Sequence, residues 1–137
     1  MKRYKSLIFD CDGVILNSNK IKTEAFRKIL KKYNQNAVYE FINYHKNNGG
    51  ISRYIKIKEF LKNILPKYDV NANFNEDELE VLLQNYSKQC KTSLFNAEVT
   101  KDLSKLREAS GNIPWLIVSG GDQNELREVF NKKGLTN

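Results

Sequence analysis

Two short apolar runs, one near each end of the chain, lack the polar alternation of a half-exposed strand. The first covers residues 7–10 and the second residues 113–118. A short, uninterrupted apolar run is typical of a strand buried on both faces of a parallel sheet. Gly13 predicts a turn shortly after the first run. The pattern therefore predicts an α/β fold whose parallel strands come from both ends of the chain.

Between these runs, apolar residues recur at spacings of three and four, which is the pattern of amphipathic helices. A first helix is predicted over 18–33, whereas the type of structure over 39–44 stays open. A second long helix is predicted to begin after Ser52, its cap, and to end at Pro66. With a third helix further along, these segments predict a small helical bundle inserted between the strands.

Two helices are predicted from capping-box spacings, in which a cap residue is followed three residues later by a glutamate. Asn75 with Glu78 begins the third helix, and Asp122 with Glu125 begins the last one. In such a box each side chain bonds the backbone N–H of the other residue. A further helix is predicted over 100–109, just before the second apolar run.

The composition, 40% hydrophobic and 28% charged in 137 residues, is that of one ordinary globular domain. No apolar run approaches the roughly 18 residues needed to cross a membrane, and none resembles a signal peptide. We therefore expect a cytoplasmic protein with no membrane partner. Cys11 and Cys90 are expected to be small packed residues. His45, the single histidine, is expected on the surface or in a loop, and a position facing the substrate is the alternative.

The net charge of +7 raises the question of a nucleic-acid partner. The lysines are scattered over the polar faces of the predicted helices, with no dense block and no recognisable nucleic-acid motif. A solvated helix surface accounts for such spacing. The charge distribution therefore argues against nucleic acid as a partner.

The candidate chemistry lies where the first apolar run ends, at Asp10 and Asp12. Residues two positions apart in an extended chain share a face, so the two carboxylates are expected to lie close together. Mg²⁺ is usually bound by one or two carboxylates together with phosphate oxygens. An ionised aspartate is also a competent nucleophile toward phosphorus. These residues predict a phosphoryl-transfer site.

The run Asp10-Cys11-Asp12-Gly13 after an apolar strand resembles the first motif of the haloacid dehalogenase (HAD) superfamily. Residues 115–121, an apolar strand followed by Ser119 and two glycines, resemble its second motif. The resemblance implies a Mg²⁺-dependent phosphohydrolase in which Asp10 attacks phosphorus and Asp12 acts as general acid and then base. It also implies that Asp10 and Asp12 hold the metal, and that Ser119 and Gly120 hold the phosphoryl group.

The resemblance further implies a Rossmann-like parallel-sheet core interrupted by a helical cap. Residues 1–16 and 96–137 would form part of the core, and residues 17–95 would form the cap. The loop at Gly50 and Arg53 is the candidate for substrate contacts from the cap, because a glycine pair before a helix offers free N–H groups to an anion. A lid of this kind favours a small phosphorylated metabolite as substrate.

The superfamily also has a third motif with a lysine and a fourth with acidic residues, and no residue of this chain is assigned to either. We therefore expect either a fragment of a longer phosphatase or a natural truncation, with little activity as 137 residues. Two strands alone would leave an open sheet edge beside Asp10, which favours self-association. A phosphomutase and a noncatalytic binding protein stay open as alternatives, the former because Asn17 replaces an aspartate often seen after the first motif.

Overall fold

The structure is a computed structural model that describes residues 4–136. Residues 1–3 and 137, the outermost parts of the predicted core segments, lie outside the described residues. The strands are β1 (Leu7–Asp10) and β2 (Trp115–Val118). The helices are α1 (Asn19–Leu30), α2 (Gln35–Asn47), α3 (Arg53–Glu59), α4 (Glu76–Phe95), α5 (Leu103–Ser110) and α6 (Gln123–Lys132). A π-helical turn (Phe60–Ile64) and a 3₁₀ turn (Leu65–Lys67) follow α3.

The two strands pair in parallel, as the sequence predicts. Leu7 is opposite Trp115 and Asp10 is opposite Val118. Helices α1 to α5 make the connection between the strands. The register places the carboxyl ends of both strands side by side, so the residues that follow them meet at one edge of the sheet.

The strands are less buried than the apolar runs predict, and that expectation is wrong for one face of the sheet. Ile8, Leu116 and Val118 are 65%, 52% and 63% exposed. On the opposite face, Phe9 packs against Trp115 with ring centroids 4.6 Å apart. Parallel sheets are normally covered by helices on both faces. Here the described helices pack mainly against one another and leave the first face open to solvent.

The core of the helical part is an aromatic cluster. Phe26 of α1 contacts Phe41 of α2 and Tyr86 of α4, with ring centroids 5.1 and 4.2 Å apart. Phe60 in the π-helical turn packs edge-on against Phe41 at 5.4 Å. All four side chains are almost fully buried. Within residues 4–136, no helix is both long enough and apolar enough to span a bilayer.

The segment that the sequence left open is the middle of α2. Its N-terminus is capped by the Asn34 side chain, which accepts hydrogen bonds from the backbone N–H groups of Asn36 and Ala37. His45 therefore lies in the last turn of a helix and not in a loop. It is half-buried against Phe26, with ring centroids 4.8 Å apart, so the expected surface position is also wrong.

The second predicted helix begins as expected, with the Ser52 hydroxyl accepting from the N–H of Ile55. It does not continue as one α-helix to Pro66. The N–H of Leu65 bonds the carbonyl of Phe60, five residues earlier, in the π-helical turn. Pro66 has no N–H, and its ring crowds the carbonyl four residues earlier in an α-helix. The widened turn accommodates the proline while keeping the apolar residues of this segment buried.

Candidate active site

Asp10 and Asp12 flank a tight turn at the carboxyl end of β1. One carboxylate oxygen of Asp10 accepts a hydrogen bond from the backbone N–H of Cys11, at 2.7 Å. Cys11 is fully buried between the two aspartates, as predicted. Burial, followed by the Asp12 charge, raises the pKa of the Cys11 thiol to about 11. The thiol is therefore neutral at physiological pH, which leaves the two carboxylates as the reactive groups of this turn.

Asp12 is held by two donors from the start of α1. The Ser18 hydroxyl donates to Oδ1 and the Lys22 ammonium to Oδ2, each at 2.5 Å. Ser18 and Lys22 are four residues apart, so they share one face of the helix. Both oxygens of Asp12 accept hydrogen bonds, and the carboxylate is fixed in place. Sequence reasoning missed both donors, although their spacing after Asp12 was a usable signal.

The second motif meets the first at this edge of the sheet. Ser119 follows β2 directly, and its hydroxyl accepts from the N–H of Gly121 at 3.0 Å. A Cβ added to Gly121 would lie 3.2 Å from Ser119 Oγ and 3.5 Å from Lys22 Nζ. The lysine that holds Asp12 therefore lies next to the loop after β2, in the same cavity lining. Residues more than a hundred positions apart converge on one point, as the parallel register requires.

The loop between α2 and α3 lies directly on the second motif. A Cβ added to Gly120 would overlap the backbone carbonyl oxygen of Gly50. Gly50 itself has a φ of +78°, a conformation that side chains disfavour. Both glycines are therefore required by geometry, one for close approach and the other for its backbone conformation. Both glycines line the cavity in front of Asp10.

Arg53, predicted to contact an anion, has a protein partner in the structure. Its guanidinium makes two parallel hydrogen bonds to the Glu125 carboxylate, at 2.8 and 2.7 Å. It also donates to the Ser87 hydroxyl at 3.2 Å and lies over the Tyr86 ring. These contacts join α3, α4 and α6. The Glu125 side chain is thus occupied by Arg53. Only half of the predicted capping box forms: the Asp122 side chain accepts from the backbone N–H of Glu125, but the Glu125 side chain does not accept from the backbone N–H of Asp122.

A cavity of about 440 Å³ opens in front of these groups. Asp10, Asp12, Gly50, Arg53 and Gly120 all line it. Five of the six predicted site residues therefore line the same cavity. The sixth, Ser119, directly precedes Gly120 in the chain. The volume lies in the range of small-molecule pockets, about 300–1,000 Å³.

The same cavity is lined by His45, for which a position facing the substrate was the alternative expectation, and by three lysines that the sequence did not single out: Lys22, Lys46 and Lys56. His45 Nδ1 is 3.0 Å from Lys56 Nζ, and His45 Nε2 is 3.1 Å from Thr23 Oγ1. Burial and the neighbouring ammonium groups, Lys56 foremost, lower the pKa of His45 to about 4. His45 is therefore neutral at physiological pH, with Nδ1 accepting from Lys56.

Residues 4–136 match the family model of haloacid dehalogenase-like hydrolases. The chain belongs to that family. The sequence-based resemblance is confirmed, as is the α/β fold class. No curated protein matches this chain.

Among solved structures, this HAD chain is similar to a predicted phosphoglycolate phosphatase from Haemophilus somnus 129pt. The TM-score is 0.69 at 17% sequence identity, which establishes a shared fold. The match covers 98% of the HAD chain and 60% of the solved chain. The chain therefore spans about three fifths of the length of that structure.

The two aspartates of the HAD site suit a magnesium ion only in part. Among residues 4–136 there is no group of three or more His, Cys, Asp or Glu side chains that could hold a metal. Two carboxylates at one cavity edge match the protein share of a Mg²⁺ site, which often consists of one or two carboxylates with substrate phosphate and water. Asp10 has one oxygen without a hydrogen bond in the structure, whereas both oxygens of Asp12 already accept one.

Proposed function

We propose that this chain supplies the nucleophile and the phosphate-binding loop of a Mg²⁺-dependent phosphatase acting on a small phosphorylated metabolite. The observation that carries the proposal is the convergence of Asp10, Asp12 and Gly120 on one cavity. A nucleophile, a proton-transferring group and backbone donors in one cavity are what phosphoryl transfer to a protein carboxylate needs. The family match supports hydrolysis as the class of reaction.

In the first step, an oxygen of Asp10 attacks phosphorus, and the bond between phosphorus and the ester oxygen breaks. For this step Asp12 enters as the carboxylic acid, with one of its oxygens released from Ser18 or Lys22, and the leaving alkoxide takes its proton. In the second step, Asp12 takes a proton from water, the water oxygen attacks phosphorus, and the bond to Asp10 breaks. Phosphate leaves, Asp10 is again an ionised carboxylate, and Asp12 is again the protonated acid. Two moderate barriers thereby replace one high one.

The loop after β2 binds the phosphoryl group in this proposal, through the Ser119 hydroxyl and the Gly120 backbone N–H. Asp10 and Asp12 would hold Mg²⁺, which neutralises phosphate charge when bound. From the helical side, Gly50 and Arg53 would contact the rest of the substrate. Three of the five guanidinium N–H groups of Arg53 are used by Glu125 and Ser87, which leaves two for a ligand.

The cavity lies between two parts of the chain, and this arrangement supports the division into core and cap. Residues 1–16 and 96–137 would form the core that carries the chemistry. Residues 17–95 would form a cap that excludes water and large substrates. A cavity of about 440 Å³ suits a small ester. We place the reaction in the cytoplasm, with no membrane or nucleic-acid partner.

Asp12→Asn tests the proton transfer. The amide cannot protonate the leaving oxygen or deprotonate water, so turnover of an alkyl phosphate with Mg²⁺ by a longer protein that contains this chain is expected to fall by about 10²–10⁴-fold. Asp69→Asn is the matched control, because Asp69 is exposed and does not line the cavity. Steady-state phosphate release measures both. Wild-type turnover in Asp12→Asn would exclude this role.

Self-association through the open edge of the sheet is a second proposed property, and the exposed apolar residues of the same two strands support it. Ile8 and Leu116 lie opposite each other and are both more than half exposed, and pairing with a second copy would cover them. Ile8→Lys is expected to shift the chain toward monomer in sedimentation velocity experiments. Val70→Lys, at a position 93% exposed outside the sheet, should leave the distribution unchanged. A wild-type chain that stays monomeric at all concentrations would contradict the proposal.

A further inference from the structure

Lys56 is a buried charged side chain without a carboxylate partner within the described part of the chain. It is 4% exposed and lines the cavity in front of Asp10. Its ammonium contacts only His45, at Nδ1 (3.0 Å) and at the backbone oxygen (3.4 Å). Lys22 and Arg53, the other two cations deep in this cavity, are paired with Asp12 and Glu125. Among the three buried cations of this cavity, Lys56 is therefore the one that has no carboxylate of the described residues within ion-pair distance.

Hydrogen bonds hold the Lys56 ammonium at the cavity wall. Lys56 donates to His45 Nδ1, so the ring proton is on Nε2 and donates to the Thr23 hydroxyl at 3.1 Å. The Thr23 hydroxyl in turn donates to the backbone oxygen of Asn19 at 3.0 Å. Two of the three ammonium N–H groups have acceptors among the described residues, which leaves the third for a ligand, and the hydrogen bonds link α3, α2 and α1. His45 is a positioning residue that fixes the ammonium without neutralising it.

An unbalanced buried charge is costly to the fold, and burial together with Lys22 lowers the pKa of Lys56. A cavity-lining ammonium of this kind is suited to an anion that arrives with the ligand. The phosphoryl end of the ligand is already served by Asp10 with Mg²⁺ and by the loop after β2 in the proposed function. The extra positive charge therefore indicates a second anionic group on the same ligand.

We propose that Lys56, positioned by His45, binds a carboxylate on the leaving part of the substrate, so that the preferred substrates are short phosphate esters of hydroxy acids. This inference rests on the proposed phosphatase function. It assigns Lys56 as the residue that selects among phosphate esters. Charge-assisted hydrogen bonds are stronger than neutral ones, so the selection should be substantial.

Binding of two matched, non-hydrolysable phosphonates tests the inference in the 137-residue chain. Phosphonoacetate carries a carboxylate where ethylphosphonate carries a methyl group. With Mg²⁺ present, isothermal titration calorimetry is expected to show phosphonoacetate binding about tenfold or more tightly. Lys56→Met should abolish that preference. Lys58→Met, on the same helix but exposed and outside the cavity lining, should keep it.

His45 provides a second measurement that needs no variant, because it is the only histidine and its ring NMR signals are unambiguous. Phosphonoacetate should shift these signals more than ethylphosphonate or inorganic phosphate does. Two variants test the positioning role by calorimetry. His45→Asn keeps an acceptor close to the place of Nδ1 and should retain the preference, whereas His45→Leu should lose it.

The failures of the two proposals are distinguishable. Equal affinity for the two phosphonates, or a preference that survives in folded Lys56→Met, would overturn the carboxylate subsite and leave the phosphate site standing. If neither phosphonate bound, but acetate shifted the His45 signals in a Lys56-dependent way, the subsite would stand and the phosphatase proposal would fall. Binding of inorganic phosphate alone, with no gain from a carboxylate, also overturns the subsite.

Discussion

Replacing Asp10 by asparagine is expected to abolish Mg²⁺-dependent turnover of phosphate esters, by this chain or by any longer protein that contains it. An amide cannot attack phosphorus, and loss of a catalytic nucleophile reduces turnover by about 10⁴-fold or more. Folding should be intact, because Asp10 is exposed and the amide oxygen of the asparagine can still accept the hydrogen bond from the N–H of Cys11. Turnover and thermal unfolding of the same samples measure both effects.

Asp12→Asn provides the contrast that isolates the role of Asp10. The nitrophenolate released from p-nitrophenyl phosphate needs no proton, so Asp12→Asn can still form the phosphorylated enzyme but hydrolyses it slowly. Rapid mixing should therefore show a burst of nitrophenolate in Asp12→Asn and no burst in Asp10→Asn. Mass spectrometry of the acid-quenched protein should find phosphate on the peptide that contains Asp10. Wild-type turnover in Asp10→Asn would end the covalent proposal.

Replacing Glu125 by glutamine is expected to give the largest loss of stability among the charged positions of the described chain. Glu125 and Arg53 form a two-point ion pair whose side chains are only 11% and 13% exposed. Removing one member of a buried pair leaves the other charge uncompensated and costs about 3–5 kcal/mol. The free energy of unfolding in urea measures this loss. A change below about 1 kcal/mol would show that solvent screens the pair.

Glu128→Gln is the matched control on the same helix. Glu128 pairs with Lys91, but both side chains are about half exposed, at 54% and 46%. An exposed pair contributes about 0–1 kcal/mol, so Glu128→Gln should be nearly neutral. The double variant Arg53→Met/Glu125→Leu removes both charges and should recover much of the stability lost in Glu125→Gln.

Short-range patterns in the sequence are enough to predict the strand pair and its chemistry. The apolar runs predict β1 and β2, and the residues directly after each run must then meet, because parallel strands end at the same edge. Asp10 was predicted in this way, whereas Gly120 was predicted from the resemblance of residues 115–121 to the second HAD motif. The exposure of the strands was not predicted. An apolar run shows that a strand is able to be buried, but it does not show whether another element of the fold covers that strand.

Contacts between distant helices could not be predicted in the same way. Helical periodicity indicates which face of a helix is buried, but not which residue of another helix that face contacts. The Arg53–Glu125 ion pair could therefore not be predicted, and Glu125 was interpreted as a capping residue. Glu78 shows the same error, because it accepts from the Tyr33 hydroxyl and does not return to the N-terminus of α4. His45 and Lys56 belong to different helices, and nothing local in either helix indicates that they are hydrogen-bonded.

The Arg53–Glu125 pair also limits how freely the two parts of the chain can be exchanged between relatives. Arg53 belongs to the helical segment and Glu125 to the segment that carries β2. A chimera that takes residues 17–95 from a protein without a cation at the Arg53 position would leave Glu125 buried and unpaired. The chimera would then lose stability whatever ligand its new helical segment could bind. A chimera that exchanges residues 17–95 should therefore also exchange the residue at position 125 in α6.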